Sequence, residues 1–392
     1  MKGKGRLFLT LGIITVFVFI FSQCTDTGKE LKANEATVAG AKTCIQCHQK
    51  IYDNYLKDPH THTSSPVKGD ELVSGGNPAS NVYQFDKHLK VVVEKRKDGM
   101  YQVAYFDGQE GMARRFDLVI GSGKNAHTYG SWKGTKLNQM PLSYFRVIDN
   151  WANSPGFPAD QVYFTRKMDV KCLECHSSYI EHSTEQSGAL NVEDKLEKNS
   201  LIYGIDCERC HGPAGMHAEF HLKNPEEKTA KYIALYKTLT RKQKMDACGV
   251  CHSGANQDQI KSTFAFKPGD NLSDYFVQAP GTFQEGEPDV HGNQLQMLSL
   301  SKCYIKSTMD CGTCHNPHES QPVAMTAFSK KCISCHATIK HSEKTLANAM
   351  VKTDCISCHM PLQSSKVISF KQAGSKEVSP YKLHTHRIAV YH

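Results

Sequence analysis

Long apolar runs are almost absent from this chain of 392 residues, and the one that exists lies at the N-terminus. It covers residues 7–21 and follows Lys2, Lys4 and Arg6. A spanning helix needs about 20 apolar residues, whereas a basic start with a shorter apolar run is typical of an export signal. We therefore predict a signal peptide over residues 1–23.

The apolar run ends at Cys24, and this junction resembles a lipoprotein signal, in which the cysteine is lipidated and becomes the first residue. Ser22 fits that pattern, whereas Phe21 and Gln23 depart from it. An uncleaved anchor and free export remain the alternatives. Residues 24–40 are mostly polar and are predicted to be a tether. We expect an extracytoplasmic lipoprotein, periplasmic or associated with the outer membrane, that contacts the membrane through a lipid on Cys24.

The sequence also lacks a block of lysine and arginine residues, although its formal net charge is +8. Proteins that bind nucleic acids generally concentrate basic residues in clusters. The dispersed charge predicts no nucleic-acid partner.

Cysteine outside one fixed motif is nearly absent, because fourteen of the 16 cysteines belong to seven copies of Cys-x-x-Cys-His. This motif is the attachment signature of a c-type haem. Two thiols three residues apart project from one helical turn and can form thioethers with the haem vinyl groups, while the histidine binds iron. Zinc sites do not require a histidine after every second cysteine, which disfavours a zinc or disulfide framework.

We therefore predict seven covalently attached haem c groups, and thioether attachment places the protein outside the cytoplasm. The predicted attachment residues are Cys44, Cys47, Cys172, Cys175, Cys207, Cys210, Cys248, Cys251, Cys311, Cys314, Cys332, Cys335, Cys355 and Cys358. The predicted proximal iron ligands are His48, His176, His211, His252, His315, His336 and His359.

Uneven spacing of the motifs divides the chain. The first motif lies in residues 41–68, the other six lie in residues 166–392, and residues 69–165 contain none. This insertion alternates apolar residues and contains Asp-Gly pairs, which predicts an antiparallel meander. A structural or partner-facing role is expected for it, with substrate binding as the alternative. The alternating positions are Leu89/Val91/Val93, Tyr101/Val103/Tyr105 and Phe116/Leu118/Ile120.

So many haems leave few residues for a conventional core, since the porphyrins themselves are buried apolar bodies. We predict a mainly α fold with long loops around covalently bound haems, plus a small antiparallel β-rich insertion. One helix is predicted to begin at Asn224-Pro225-Glu226-Glu227 and to run to near Lys244, because this stretch offers an N-cap, a first-turn proline and acidic residues.

Thirteen histidines lie outside the motifs and provide a pool of second axial ligands. Two histidines on one iron close both axial positions and suit electron transfer. His318 is too close in sequence to serve the haem of His315 and is expected to serve a neighbour. Either His384 or His386 is expected to bind iron, and His127 is left open. The predicted distal ligands are His60, His62, His217, His291, His318, His341 and His386.

The half from residue 171 to residue 392 resembles the family of multihaem cytochromes c typified by the tetrahaem electron carrier of hydroxylamine oxidation. The resemblance lies in Cys207-Glu-Arg-Cys-His-Gly-Pro with His217, in Pro288-Asp-Val-His followed by Ser301-Lys-Cys-Tyr and Cys311-Gly-Thr-Cys-His-Asn-Pro-His, and in Cys355-Ile-Ser-Cys-His-Met-Pro. It implies distal roles for His217, His291 and His318. This chain has seven motifs, whereas the tetrahaem carrier has four. The strand-rich insertion has no counterpart in that carrier.

These features predict an electron carrier between a membrane donor and a redox partner protein in an extracytoplasmic respiratory chain. The alternative is an oxidoreductase acting on a small nitrogen or sulfur compound at one open haem. The chain has no Cys-x-x-Cys-Lys motif, the mark of ammonia-forming nitrite reductases, and has seven motifs where hydroxylamine oxidoreductase-like enzymes have eight. A docking subunit with passive haems is a third possibility.

Overall fold

The computed structural model describes residues 38–68, 81–158, 160–186, 188, 192–254, 258–277, 288–320, 324–338, 341–346 and 349–391. The predicted signal peptide, Cys24 and nearly all of the predicted tether lie outside these residues. Within the described part of the chain, no helix has the length and apolarity needed to cross a membrane.

Strands occur along most of the described chain, and every strand pairing is antiparallel. The strands are β1 (Ser64–Pro66), β2 (Val82–Gln84), β3 (Leu89–Arg96), β4 (Gly99–Phe106), β5 (Gln109–Arg115), β6 (Leu118–Ile120), β7 (Ala126–Lys133), β8 (Lys136–Gln139), β9 (Leu142–Phe145), β10 (Asn150–Asn153), β11 (Arg166–Lys167), β12 (Ser177–Tyr179), β13 (His182–Gln186), β14 (Val192–Leu196), β15 (Ile202–Tyr203), β16 (Leu362–Lys371) and β17 (Val378–His384).

The helices are short and lie mostly at or beside the Cys-x-x-Cys-His motifs. The α-helices are α1 (Ala41–Tyr55), α2 (Val170–His176), α3 (Cys207–His211), α4 (Gly215–Lys223), α5 (Arg241–His252), α6 (Gln294–Ser299), α7 (Lys302–Lys306), α8 (Met325–Ile333), α9 (Glu343–Leu346) and α10 (Ile356–His359). The 3₁₀ turns are Pro59–His62, Lys198–Ser200, Tyr236–Thr238, Thr263–Ala265, Leu272–Asp274, Cys311–Thr313 and Ala349–Lys352.

Two sheets account for most of the strands. Strands β2, β3, β4 and β5 form a meander, while β1, β6, β7, β8 and β11 form a second sheet that β9 and β10 join through β7. At the β4–β5 hairpin, Asp107 and Gly108 have φ of 48° and 81°, the pair of positive angles that a type I′ turn requires. The meander predicted from the Asp-Gly pairs is present, but residues 118–120 belong to the second sheet.

The prediction of a mainly α fold is wrong, since helices make up 31% and strands 29% of the chain. Strands β12 to β17 lie in the half that was expected to be helical. That expectation treated the porphyrins as the core, whereas the chain also packs its own side chains. Phe370 of β16, for example, stacks on Phe145 of β9 with ring centres 4.4 Å apart.

A conventional core lies within the β-rich part. Trp151 is at its centre, with ring centres 5.3 Å from Tyr129 and 5.5 Å from Tyr144. Phe116 and Tyr129 meet edge to face at 4.7 Å, a favourable aromatic arrangement. A neighbouring cluster joins Leu118 of β6 to Leu173 of helix α2, so the sheet supports the second motif directly.

The prediction of a helix that begins at Asn224-Pro225 is also wrong. The helix that carries the fourth motif begins only at Arg241, where Thr240 and Gln243 form a capping box. The Thr240 side chain accepts from the Gln243 amide, and the Gln243 side chain accepts from the Thr240 amide at 2.9 Å. Both groups satisfy backbone donors that the first turn leaves open, and this decides where the helix starts.

Candidate haem-binding site

Each of the seven motifs folds into a helical turn, which turns its two thiols to the same side. The second, third and fourth motifs end α2, α3 and α5, respectively. In the fifth and sixth motifs the histidine amide donates to the carbonyl of the first cysteine, four residues earlier, at 3.0 and 2.9 Å. The local geometry is therefore the one that double thioether attachment requires.

All fourteen motif cysteines and all seven motif histidines line one connected, largely apolar cavity of about 3820 Å³. Among the described residues, the cysteines are free thiols, and no three His, Cys, Asp or Glu side chains converge as a protein-only metal site. A set of thiol pairs and facing imidazoles around apolar space suits porphyrins, each attached through two thiols with iron between two imidazoles. The residues present fit haem c.

Imidazole rings face each other in pairs across this cavity, one from a motif and one from elsewhere. A metal–imidazole nitrogen distance of about 2 Å places two rings on opposite sides of one metal roughly 6 Å apart, centre to centre. The observed separations are 6.4 Å for His48 and His217, 5.8 Å for His211 and His318, 6.2 Å for His315 and His386, 6.2 Å for His60 and His252, and 6.0 Å for His341 and His359.

Two motif histidines lack such a ring contact within the described residues. The imidazole of His176 is close enough to His291 for that ring to contribute, after burial, to lowering the His176 pKa. For His336 the described part of the chain provides no facing ring. His318 pairs with His211 of the third motif, as expected for a histidine too close to its own motif.

Burial favours the neutral form of five of these imidazoles, whereas the hydrogen bond to Asp58 raises the pKa of His60. Burial lowers the pKa of His252 and of His386 to about 4, and it also lowers the pKa of His176, His211 and His291. The neutral imidazole is the form that binds a metal. The cavity thus favours, for these five histidines, the state that iron ligation requires.

Fixed acceptors orient several of the rings. His217 and His359 each donate from Nδ1 to a backbone carbonyl at 2.8 Å, that of Lys231 and that of Ala389. A partner on Nδ1 fixes the tautomer and leaves Nε2 for the metal. His384 is held the same way by the Met360 carbonyl at 2.6 Å and lines the cavity, so it is a further candidate ligand.

The structure separates two neighbouring candidates, His60 and His62. The His60 ring meets that of His252, while His62 uses Nε2 to bond the Leu56 carbonyl at 2.9 Å. His62 is exposed and is not among the residues that line the cavity. The sequence motif His-Thr-His gave no means of choosing between them.

Contacts between thiols show which motifs are neighbours. Four pairs of thiols from different motifs lie within hydrogen-bonding distance of each other. The pairs are Cys44 with Cys207, Cys175 with Cys251, Cys248 with Cys311, and Cys332 with Cys355. Cys210 also interacts with Cys251, and Cys314 with Cys332. The third to seventh motifs therefore follow one another, the first adjoins the third, and the second adjoins the fourth.

Residues between the motif cysteines join the motifs to the rest of the chain. The Glu208 carboxylate accepts from the amides of Ala39 and Gly40 at 2.8 Å and from that of Ala214 at 2.7 Å. Arg209 donates to the Glu174 carbonyl at 3.0 Å, which connects the third motif to the second. These bonds hold the segment before α1 and the second motif against the third.

Comparisons with known proteins point to multihaem c-type cytochromes. Residues 127–212 match the family model described as cytochrome c554 and c-prime. The matched stretch contains the second and third motifs and begins at His127, so the likeness includes the last part of the predicted insertion. It covers less than half of the chain.

A multiheme cytochrome MtrA from Shewanella baltica (strain OS185) is 26% identical over 184 residues, which is 42% of this chain and 52% of that protein. The chain thus spans about half the length of this curated relative. The crystal structure of the outer cell wall cytochrome OcwA superposes with a TM-score of 0.52 over 90% of this chain and 79% of that one, at 15% identity, a likeness of fold alone. The motifs, the cavity and these likenesses together identify a multihaem c-type cytochrome with covalently bound haem c.

Proposed function

We propose that the protein is a seven-haem electron carrier that works outside the cytoplasm between a membrane donor and a redox partner protein. The observation that carries the proposal is the set of imidazole pairs near 6 Å, because an iron between two imidazoles exchanges electrons without binding a substrate. Haem supplies the electron-accepting iron; the chain contributes attachment, axial ligation and an apolar enclosure.

The proposed axial pairs are His48 with His217, His176 with His291, His211 with His318, His252 with His60 and His315 with His386. His341 and His384 are the candidates for the haems of the sixth and seventh motifs, and His341 faces His359. His62 belonged to the predicted set, but its hydrogen bond to Leu56 makes it the weaker partner for His252.

Attachment through a lipid on Cys24 is part of the proposal. Its support is the sequence junction at Cys24.

Electron paramagnetic resonance of the oxidised holoprotein tests the carrier role, with mass spectrometry to count haems. We expect seven haems, all low-spin and unchanged by nitrite or hydroxylamine. A lower haem count, or a high-spin iron that responds to either compound, would contradict the proposal.

One observation favours the second candidate function, an oxidoreductase with one open haem. His336 has no facing ring within the described residues, so the haem of the sixth motif is the place where such a site would lie. A His384→Ala variant separates the two functions. If His384 is the missing ligand, the variant gains one high-spin iron; if the sixth haem is already open, the wild-type protein shows that iron.

A further inference from the structure

One candidate ligand of the fourth haem, His60, is held differently from the rest. The Asp58 side chain is 0% exposed, and its Oδ1 accepts from His60 Nδ1 at 2.7 Å and from the His60 amide at 2.9 Å. Asp58 also caps the 3₁₀ turn Pro59–His62 that carries this histidine. A buried carboxylate therefore fixes both the position and the tautomer of His60.

Other candidate ligands have neutral acceptors or none. On the opposite side of the same haem, His252 Nδ1 lies 3.2 Å from the Gln294 amide oxygen. His217 and His359 use backbone carbonyls, and the buried Nδ1 atoms of His176 and His386 have no hydrogen-bond partner. Several histidines that line the cavity have a described hydrogen-bond partner on a ring nitrogen. Of these described partners, only that of His60 is a carboxylate, from Asp58.

The charge of this acceptor has an electronic consequence for a bound metal. A carboxylate that accepts from Nδ1 draws the ring proton toward itself and raises the basicity of the nitrogen that binds the metal. Greater donation stabilises ferric iron relative to ferrous iron and lowers the reduction potential. A neutral amide or carbonyl in the same place has a weaker effect.

We propose that Asp58 is a positioning residue that gives the fourth haem a lower reduction potential than a neutral acceptor would. The inference rests on the proposed function in that His60 and His252 are taken as the ligands of that iron. It extends the function by naming the haem whose potential the protein sets through a buried charge.

The reduction potential of the fourth haem matters because the fourth motif adjoins three other motifs. Its thiols reach Cys175 of the second motif and Cys311 of the fifth, and Cys251 interacts with Cys210 of the third. The fourth haem is thus the junction of three branches. A lower potential at that junction shortens the time that an electron resides there.

Potentiometric titration of the holoprotein, followed by electron paramagnetic resonance, tests the proposal with Asp58→Asn. Asparagine keeps the shape and remains a good helix-cap residue, so the turn is preserved while the charge is lost. We expect one low-spin signal to move to higher potential, with the other potentials and the number of low-spin irons unchanged. A variant with both Cys248→Ala and Cys251→Ala identifies the fourth haem as the signal that disappears.

Gln294→Glu provides the reciprocal change, since it places a carboxylate on the other ligand, and the same signal should move to lower potential. Asp107→Asn, which alters an exposed aspartate on the His88 ring, should move nothing. If the potential of the fourth haem is unchanged or lower in Asp58→Asn, the proposal is overturned. If that variant does not fold, an unchanged or higher potential of the fourth haem in Gln294→Glu overturns it instead. A wild-type spectrum with fewer than seven low-spin irons would instead count against the carrier function.

Discussion

The Glu174 carboxylate, between the cysteines of the second motif, is buried with the side chain only 3% exposed in total. It accepts from the Gln259 side-chain amide, the Ser262 hydroxyl and, at 3.1 Å, the Thr263 amide. Replacing Glu174 with alanine leaves all three donors without this acceptor. We expect a loss of about 3 kcal/mol in unfolding free energy, because the three buried donors would then lack a hydrogen-bond acceptor.

The thermal midpoint of the holoprotein, followed by circular dichroism, measures this effect. Glu219→Ala is the matched control, because that glutamate only pairs with Lys223 on an exposed helix face. The control should leave the midpoint unchanged. Equal midpoints for both variants would show that the Glu174 bonds contribute no net stability.

Individual ligands were partly predictable from the sequence. His217, His291 and His318 stand in motif-like contexts, and their rings lie opposite or close to motif histidines of the first, second and third haems, respectively. The choice between His60 and His62 was not predictable, because it depends on which ring meets His252, 192 residues later in the sequence. Likewise, the sequence does not separate His384 from His386, whereas in the structure His386 pairs with His315 and His384 bonds the Met360 carbonyl.

At the scale of elements, one glycine sets the approach of the His60 turn to strand β15. Gly204 has φ of 68°, and a β-carbon there would overlap the Thr61 carbonyl oxygen. The Ile205 amide donates to the His60 carbonyl at 2.8 Å in the same contact. Gly204→Ala must both strain the backbone and push the turn away, so we expect a loss of roughly 3 kcal/mol or more.

Gly108→Ala tests the backbone strain without a steric clash, because Gly108 has φ of 81° and open space where a β-carbon would lie. That control should lose only about 1 kcal/mol. Calorimetry compares the two variants, and electron paramagnetic resonance reports whether the haem of His252 stays low-spin. Similar losses in both variants would mean that the close approach to Thr61 does not constrain the turn.

A second element-scale contact joins the start of helix α1 to the third motif through Glu208. Substituting alanine for Glu208 removes the acceptor of the Ala39, Gly40 and Ala214 amides. Hydrogen bonds to a charged acceptor contribute about 1.5–3 kcal/mol, so amide hydrogen exchange at Ala39 and Gly40 should accelerate about tenfold or more. Glu208→Gln keeps one acceptor oxygen and should give a smaller change. Unchanged exchange in the alanine variant would show that other contacts hold this segment.

Elements with a local signal were predictable, and those that depend on distant packing were not. The β3–β4–β5 meander follows from alternation and an Asp-Gly turn. The α5 start also had a local signal, Thr240-x-x-Gln243, but the Asn-Pro-Glu-Glu stretch resembled a helix start more closely. Strands β16 and β17 were missed because their stability depends on Phe145 and Ala152, more than 200 residues earlier.

At the scale of the whole molecule, the chain has two kinds of interior. The β-rich part contains its own cluster around Trp151 and Tyr129, whereas the motif-bearing segments surround the cavity of about 3820 Å³. Chain produced without haem attachment should therefore keep protected amides in residues 89–153 and lose them in helices α7, α8 and α10, because an apolar cavity of that size cannot stay open.

Hydrogen exchange with mass spectrometry on the haem-free chain, compared with the holoprotein, makes this measurement. Uniform loss of protection would mean that the β-rich part also needs haem to fold. Uniform retention would mean that the cavity walls support each other without it.

The proposed ligand pairs overlap along the chain. His48 pairs with His217, His211 with His318, and His315 with His386, and each of these intervals begins before the previous one ends. A gene cut anywhere between codons 48 and 386 would therefore assign the two ligands of at least one iron to different polypeptides. Under the proposed pairing the protein is therefore indivisible in a modular sense: unlike a string of independent small cytochromes, it cannot be cut between residues 48 and 386 into two pieces that each hold complete axial ligand pairs.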